Sequence, residues 1–577
     1  MKTLIMNEDN YKWWGLTALL IGTFVVSLGL SLLFPAMPVI MADFRATVNE
    51  VAWLSIAYAV AFAALQPAMG RLSDLYGRKR LFVGGMLTFL LGSGVAAVSW
   101  NIPSMMVARF VQGIGAAAIF PAGMAYIGEM FSHEERGKAM GIWGIASGAA
   151  PAIGPLLGGY LVDWGGWRSL YYFSVLIGLV AVLAPWFILR PSKAEKVSGF
   201  DLAGSVWLFV SVGSILVVLN EGRNWGWTSP TIIGLLVTFG MCLIAFLIHE
   251  SRTRNPIADV DLLKSPFFLL LAGTAFVSFI AMQGAMFLIP FFWQNVQGYT
   301  PSDTGVMVVP LFVAMAVFSM LGGTLADRLG IRWTAALGML AKTLALLLLA
   351  FLVIDTPYWY AGLALGILGV GMGIALPPLS KAIVGAGPPQ KMGAASGMFS
   401  MVRNLGGPFG VAILSTVFAS RTADHAKVIM GQRLGELGVD PALARELPKL
   451  RDLATQGAAS LTSQQLALLR ELGPKLETAE DFARLHGMAA AFGDAFLVAT
   501  SFCALGVVMA LFIREVRAQR VSWSREALAT LQKIPPEFRT RAQQGFEAAA
   551  QGIGVKVVTP ELVMKVGRGW RTRQPEP

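Results

Sequence analysis

The chain has 577 residues, is 55% hydrophobic and only 14% charged, and has a mean hydropathy of +0.63. Soluble domains carry about 25% charged residues, so the composition argues against a water-soluble enzyme and for an all-α integral membrane protein. A formal charge of +11 would suggest nucleic acid in a soluble protein. Here basic loops on one side of a bilayer account for it, and no nucleic-acid partner is expected.

Apolar runs long enough to cross about 30 Å of hydrocarbon lie at 14–40, 51–69, 81–99, 103–129, 139–162, 169–189, 202–219, 230–248, 267–294, 304–325, 333–353, 358–380, 395–418 and 488–513. That makes fourteen spans. The first run is too long for a signal peptide, and MKTLIMNEDNYK offers no small-residue cleavage site before it. Alternate short loops, beginning with 70–80, hold sixteen Lys and Arg, against three in the loops between them. Positive loops stay inside, which places both termini in the cytoplasm and the chain in the inner (plasma) membrane.

The loop GRLSDLYGRK at 70–79 sets Asp74 among Arg71, Arg78, Lys79 and Arg80. Gly70 and Gly77 permit close helix approach and a tight turn. A carboxylate there can cap a helix or pair with Arg, latching this side of the bundle; a purely topological basic loop is the alternative. In the fourth run, Arg109 is a charge in hydrocarbon, with Gln112 and Gly113 beside it. Such a charge needs a partner or a water-filled cavity and marks a candidate site, unless carbonyls hold it for structure alone. In the fifth run, Gly144 and Gly148, then Gly154 and Gly158, stand four apart on one face. With Gly159, Pro151 and Pro155 they describe a smooth, kinked helix able to pack closely and rock.

Residues 202–248 hold two further spans. The run 267–294 brings Met282, Gln283, Met286 and Phe287, which with Trp53, Tyr58, Gln66 and Gln112 are candidates for an adaptable apolar pocket. GTLADRLGIR at 323–332 repeats the loop at 70–79, and keeps Asp327 and Arg328 but has Ile331 where Arg78 stands. Lys342 and Arg403 lie within later spans and Asp494 at the start of the last, all candidates for coupling to protons. Snorkelling of Lys342 and an interfacial Asp494 are the alternatives. Residues 420–487 put Leu at helical spacing, which predicts a pair of amphipathic surface helices capping the outer mouth; a docking surface is the sharper alternative. The basic tail from 514, with Arg517, Arg520 and Arg525, is expected in the cytoplasm near anionic lipid.

Two echoes show an internal repeat. The loop copies are offset by 253 residues, and Gly137, Gly141 and Gly154 recur as Gly393, Gly397 and Gly410 at an offset of 256. The chain divides into an N-terminal six-helix half (1–190), a linker with two extra helices (191–266), a C-terminal six-helix half (267–513) and the tail (514–577). Two parallel repeats around a central path are a transporter plan.

With GRLSDLYGRKRLF at 70–82, ARFVQGIGAA at 108–117 and the Gly/Pro run 148–159, the sequence resembles the major facilitator superfamily over roughly 14–513. More narrowly it is similar to the fourteen-span drug:proton antiporters of the EmrB/QacA type. The resemblance implies a gating role for the 70–80 loop, proton coupling for Arg109, a pattern at Arg403 and export for the Gly/Pro helix. It also implies protons and an amphipathic small molecule as partners, with a periplasmic adaptor and outer-membrane channel where a second membrane exists. One departure stands out: the family's first-span Asp is replaced by Gly29 in VSLGLSLLFPAMP.

Cys242 and Cys503 make no disulfide framework, and His133, His249, His425 and His486 are too scattered for a metal site. No GxxxxGK[ST] loop is present, which argues against ATP drive, and no cofactor is expected. The expected function is secondary efflux of apolar or amphipathic compounds. Export of one metabolite or lipid, or a non-transporting scaffold, are the alternatives.

Overall fold

The computed structural model describes residues 8–192, 201–253, 260–384, 392–440, 463–513 and parts of 522–564. Among these, fourteen helices are long and apolar enough to span a bilayer. The first is α1 (Glu8–Ser31), continued through a 3-10 turn at Phe34–Ala36 into α2 (Met37–Asp43). Pro35 and Pro38 cause that break, since neither can donate to the helical ladder. The N-terminal half is completed by α3 (Val48–Tyr76), α4 (Arg78–Ala97), α5 (Ile102–Met130), α6 (His133–Gly165) and α7 (Arg168–Ile188). The inserted pair is α8 (Leu202–Trp225) and α9 (Pro230–Arg252).

A short α10 (Val260–Leu263) leads to the C-terminal half: α11 (Pro266–Phe291), α12 (Pro301–Met307), α13 (Val309–Leu329), α14 (Ile331–Ala350), α15 (Tyr358–Val384), α16 (Met392–Glu436) and α17 (Ser463–Leu511). The ends that carry the sixteen basic loop residues are called the basic face, and the others the opposite face. At the opposite face the helix starts are fixed by reciprocal caps, Thr47 with Glu50, Asn101 with Ser104 and Thr300 with Asp303. Each satisfies two otherwise orphaned amides.

The sequence repeat is a packing repeat. Gly77 and Gly330 close the equivalent turns at φ 92° and 85°, a backbone region that favours glycine. A Cβ on Gly115 of α5 would stand 2.5 Å from Gly85 O and from Phe89 N of α4; one on Gly371 of α15 would stand 2.6 Å from Gly338 O and 2.8 Å from Lys342 N of α14. Each half thus joins its third and fourth spans through close glycine contacts. In α9 the exposed residues Ile233, Val237, Met241, Ile244 and Ile248 form one stripe. That stripe is at helical spacing and suits a lipid-facing surface.

One expectation for the outer segment changes. Residues 420–436 and 463–487 are not separate surface helices lying across a mouth. They continue α16 and α17, which run for 45 and 49 residues without a break. The two extensions pair through a small core of Leu434, Val439, Leu476 and Ala479. Arg433 lies over the Phe482 ring at 4.7 Å, and Lys475 Nζ donates to Leu437 O at 2.9 Å. Their Leu residues therefore face each other. The run PALARELPKLRDLA lies outside the described residues.

The tail forms a compact unit of its own. Within it β1 (Ser522–Trp523) pairs in parallel with β2 (Val557–Val558), and helix α18 (Arg525–Gln532) contributes Ala527 and Leu531 to a core with Phe546 and Val558. Arg517 and Arg520 lie outside the described residues.

Candidate functional site

The charge on α5 is built into the N-terminal half. Arg109 is 1% exposed. Its Nε donates to Leu54 O of α3 at 3.2 Å, and Nη1 donates to Gly29 O of α1 at 3.3 Å and to Gln112 Oε1 at 2.8 Å. The guanidinium lies over the Tyr58 ring at 4.5 Å. Gln112 is held in turn by Ser93 Oγ of α4 at 2.7 Å. Four spans therefore meet at this side chain. Nη2 has no hydrogen-bond partner, so two N–H donors of a buried cation stay available.

Gly29 shapes that site twice. Its carbonyl takes the Arg109 bond, and a Cβ there would stand 2.7 Å from Phe89 Cζ. The ring of Phe89, wholly buried, fills the place where a carboxylate side chain would project. The missing acid is thus matched by the packing around it.

The two halves pack on each other at the opposite face. A Cβ on Gly159 of α6 would collide with Pro301 O and stand 2.7 Å from Ser302 Cα; one on Gly305 of α12 would collide with Pro155 O and stand 2.9 Å from Leu156 Cα. Asp163 accepts from Ser302 N at 3.0 Å and from its hydroxyl, and Gln294 Nε2 donates to Pro35 O at 2.8 Å. Gly154 and Gly158 face the end of the first span instead, where Cβ atoms would stand 2.8 Å from Ser31 Cβ and 2.5 Å from Leu32 O. A Cβ on Gly148 would meet nothing within 4 Å.

At the basic face the 70–80 loop ties its own half together. Asp74 lies 3.9 Å from Arg78, which reaches Glu129 of α5 at 3.0 Å. Lys79 Nζ donates to Trp186 O at 2.8 Å and to Leu189 O of α7 and its C-cap. Gly70 meets Pro121 of α5. In the second copy Asp327 pairs with Lys381 at the end of α15, while Arg328 is exposed.

In the C-terminal half, Lys342 is 0% exposed and donates to Ser278 O of α11 at 2.9 Å and to its hydroxyl, so it does not snorkel. Arg403 of α16 lies over Phe279 at 5.1 Å and donates to Asn404 Oδ1. Asn404 Nδ2 reaches Gln66 Oε1 of α3 at 3.4 Å, a bond between the halves. Asp494 is not a deep charge. It lies near the start of the apolar stretch of α17, 2.9 Å from His425 and 3.4 Å from Arg421. The pocket candidates divide: Met282 and Gln283 are half-buried, while Met286 and Phe287 are buried in the core.

A profile described as Major Facilitator Superfamily matches residues 19–411. The chain belongs to the major facilitator superfamily. It is a multi-pass membrane transporter and not an enzyme. It is 30% identical to "Multidrug transporter protein MdtP" of Bacillus subtilis (strain 168), over 87% of this chain and 93% of that protein. It is 33% identical to "Multidrug resistance protein Stp" of Mycobacterium tuberculosis (strain CDC 1551 / Oshkosh), over 69% and 74%. A crystal structure of a bacterial homolog to human lysosomal transporter Spinster, inward-facing and unoccupied, aligns with TM-score 0.56 at 17% identity, covering 88% of this chain and 99% of that one. That likeness shows the shared fold.

Within the superfamily fold, the sequence reading missed the polar end of α8. Trp53 Nε1 donates to Glu221 Oε1 at 2.9 Å, and Asn220, wholly buried, bonds to both halves. Adjacent to it, an apolar cavity of about 280 Å³ opens between α3, α5 and α8, lined by Trp53, Val60, Met106, Phe110, Phe209 and Leu216. The signal was an Asn-Glu pair closing an apolar run.

Proposed function

We propose that this transporter exports apolar or amphipathic compounds, drugs among them, in exchange for protons across the plasma (inner) membrane. The basic face is cytoplasmic, as are both termini, since basic loops resist translocation. The halves then meet at the outer face, and the arrangement is inward-facing. Rocking the halves would separate Gly159 from Pro301 and open the path outward.

Arg109 carries the reading. A permanently charged side chain, buried mid-bundle and bonded to carbonyls of two other spans, is costly and suits a group that responds to water and protons entering the bundle. With Gly29 in the first span, we assign coupling to Arg109, Arg403 and Lys342 rather than to an Arg–Asp pair, and the gate at the basic face to Gly70, Asp74, Gly77, Arg78, Lys79, Asp327 and Arg328. Asp494 is left out because His425 and Arg421 hold it near the start of the last apolar stretch. The paired extensions of α16 and α17 are the surface open to a periplasmic adaptor leading to an outer-membrane channel.

The test is dye efflux from cells making the protein, with and without an ionophore that collapses the pH gradient. Efflux that stops on collapse supports the proposal, and efflux that continues unchanged rejects proton drive. A second reading, export of one metabolite, draws on Gly29, whose packing removes the acid typical of the drug antiporters. A substrate screen that yields a single compound class would favour it.

A further inference from the structure

We propose that α8 is a strap that holds the outer gate shut, with Asn220 as its positioning residue, and that it travels with the N-terminal half and lets go of the C-terminal half when the gate opens. The proposal rests on the alternating-access reading above. It gives the inserted helical pair a role that neither repeat requires.

Asn220 lies at the outer end of α8 and is 0% exposed. On the N-terminal side it makes a reciprocal pair with Asn49 of α3: Asn220 Nδ2 donates to Asn49 O, and Asn49 Nδ2 donates to Asn220 O, both at 3.3 Å. Its Nδ2 also donates to Glu221 Oε1 at 3.0 Å, the oxygen that takes the Trp53 indole bond. On the C-terminal side Ser415 Oγ of α16 donates to Asn220 Oδ1 at 3.4 Å. Thr416 Oγ1 donates to Leu219 O at 2.9 Å and lies 3.4 Å from Asn220 O. One buried carboxamide thus links the second and thirteenth spans across the two halves.

The chemistry of the partners says which side gives way. Parting Asn49 from Asn220 would strand two carboxamides in an apolar setting, and unpaired buried polar groups are costly. Ser415 and Thr416 have an escape. A hydroxyl rotates onto a carbonyl of its own helix, and Ser415 already reaches Ala412 O at 3.2 Å. The apolar contacts favour the same side: Phe209 of α8 packs edge-on against Phe110 of α5 at 5.7 Å. The other link to α16, Arg223 with Asp424 at 3.3 Å, has exposed partners, and such pairs contribute little.

Two cross-links decide it, each in a chain with Cys242 and Cys503 replaced by Ser and joined by a short bifunctional thiol reagent in vesicles. Joining Asn220→Cys to Ser415→Cys should abolish dye transport. Joining Asn49→Cys to Asn220→Cys should leave at least half of it. The gate is read independently by maleimide labelling of Ala36→Cys. In the uncross-linked Ser415→Ala/Thr416→Val variant, the loss of two weak hydrogen bonds should raise that labelling by about fivefold. Asn220→Ser, which keeps a hydrogen-bonding group, should lie between Asn220→Ala and the parent. Equal effects of both cross-links, or labelling unmoved in the hydroxyl-free variant, overturn the strap. A parent chain that moves no dye at all would instead overturn the transport reading, and the labelling would still test the strap.

Discussion

Gly159 and Gly158 are neighbours on α6 with different partners, and that difference gives a sharp prediction. A methyl group on Gly159 would collide with Pro301 O of the C-terminal half, while one on Gly158 would stand 2.5 Å from Leu32 O of its own half. Overpacking a tight contact costs about 1–3 kcal/mol. For Gly159→Ala that cost falls only on the state in which the halves meet at this face. At about 1.4 kcal/mol per factor of ten, the balance should move toward the separated state by about 5- to 150-fold. For Gly158→Ala the cost falls on both states and the balance should stay put, with only the melting temperature lowered. Maleimide labelling of Ala36→Cys, buried beside the contact, reads the balance in the Cys242→Ser/Cys503→Ser background. Equal labelling of the two variants would refute the argument that Gly159 marks a surface between moving halves.

Three further substitutions follow from the same geometry. Arg109→Lys keeps a charge but cannot reach Leu54 O, Gly29 O and Gln112 together; transport should fall at least about tenfold with normal membrane levels, since Arg and Lys are not interchangeable at forked sites. Asp494→Asn removes a partly exposed ion pair of about 1 kcal/mol or less, so dye efflux should stay within about twofold of the parent. Gly77→Ala forces a side chain into φ 92°, ψ 137°, a conformation that costs about 1–3 kcal/mol for other residues; the variant should melt earlier in detergent, as should Gly330→Ala at the repeat position.

Much of this architecture was legible because a bilayer leaves few options. Runs of about 20 apolar residues must be helices there, and basic loops mark one face. The repeat was visible because the turns at Gly77 and Gly330 need the same glycine. Arg109 stood out because its cost in hydrocarbon is independent of its neighbours. What stayed hidden were pairings between helices. The periodicity of 420–487 gave an apolar face, but not that α16 and α17 turn those faces on each other. Gly158 and Gly159 are adjacent on α6, yet spacing alone does not say which half each one meets. That Met286 and Phe287 are buried while Met282 and Gln283 are half-buried was not legible either, because an all-apolar helix shows no inner side. Asn220 is a single polar group at the end of a run, and only the fold brings Asn49 and Ser415 to it.

The central claim is reciprocal motion of the two halves. Spin labels at Ala42 and Asp355, exposed at the opposite face, and at Tyr76 and Leu329, exposed at the basic face, report both ends of the bundle. Paired distance measurements in lipid, across a change of pH and with an amphipathic dye, should show one distance lengthening as the other shortens. Distances that rise and fall together, or that never change, would contradict the claim.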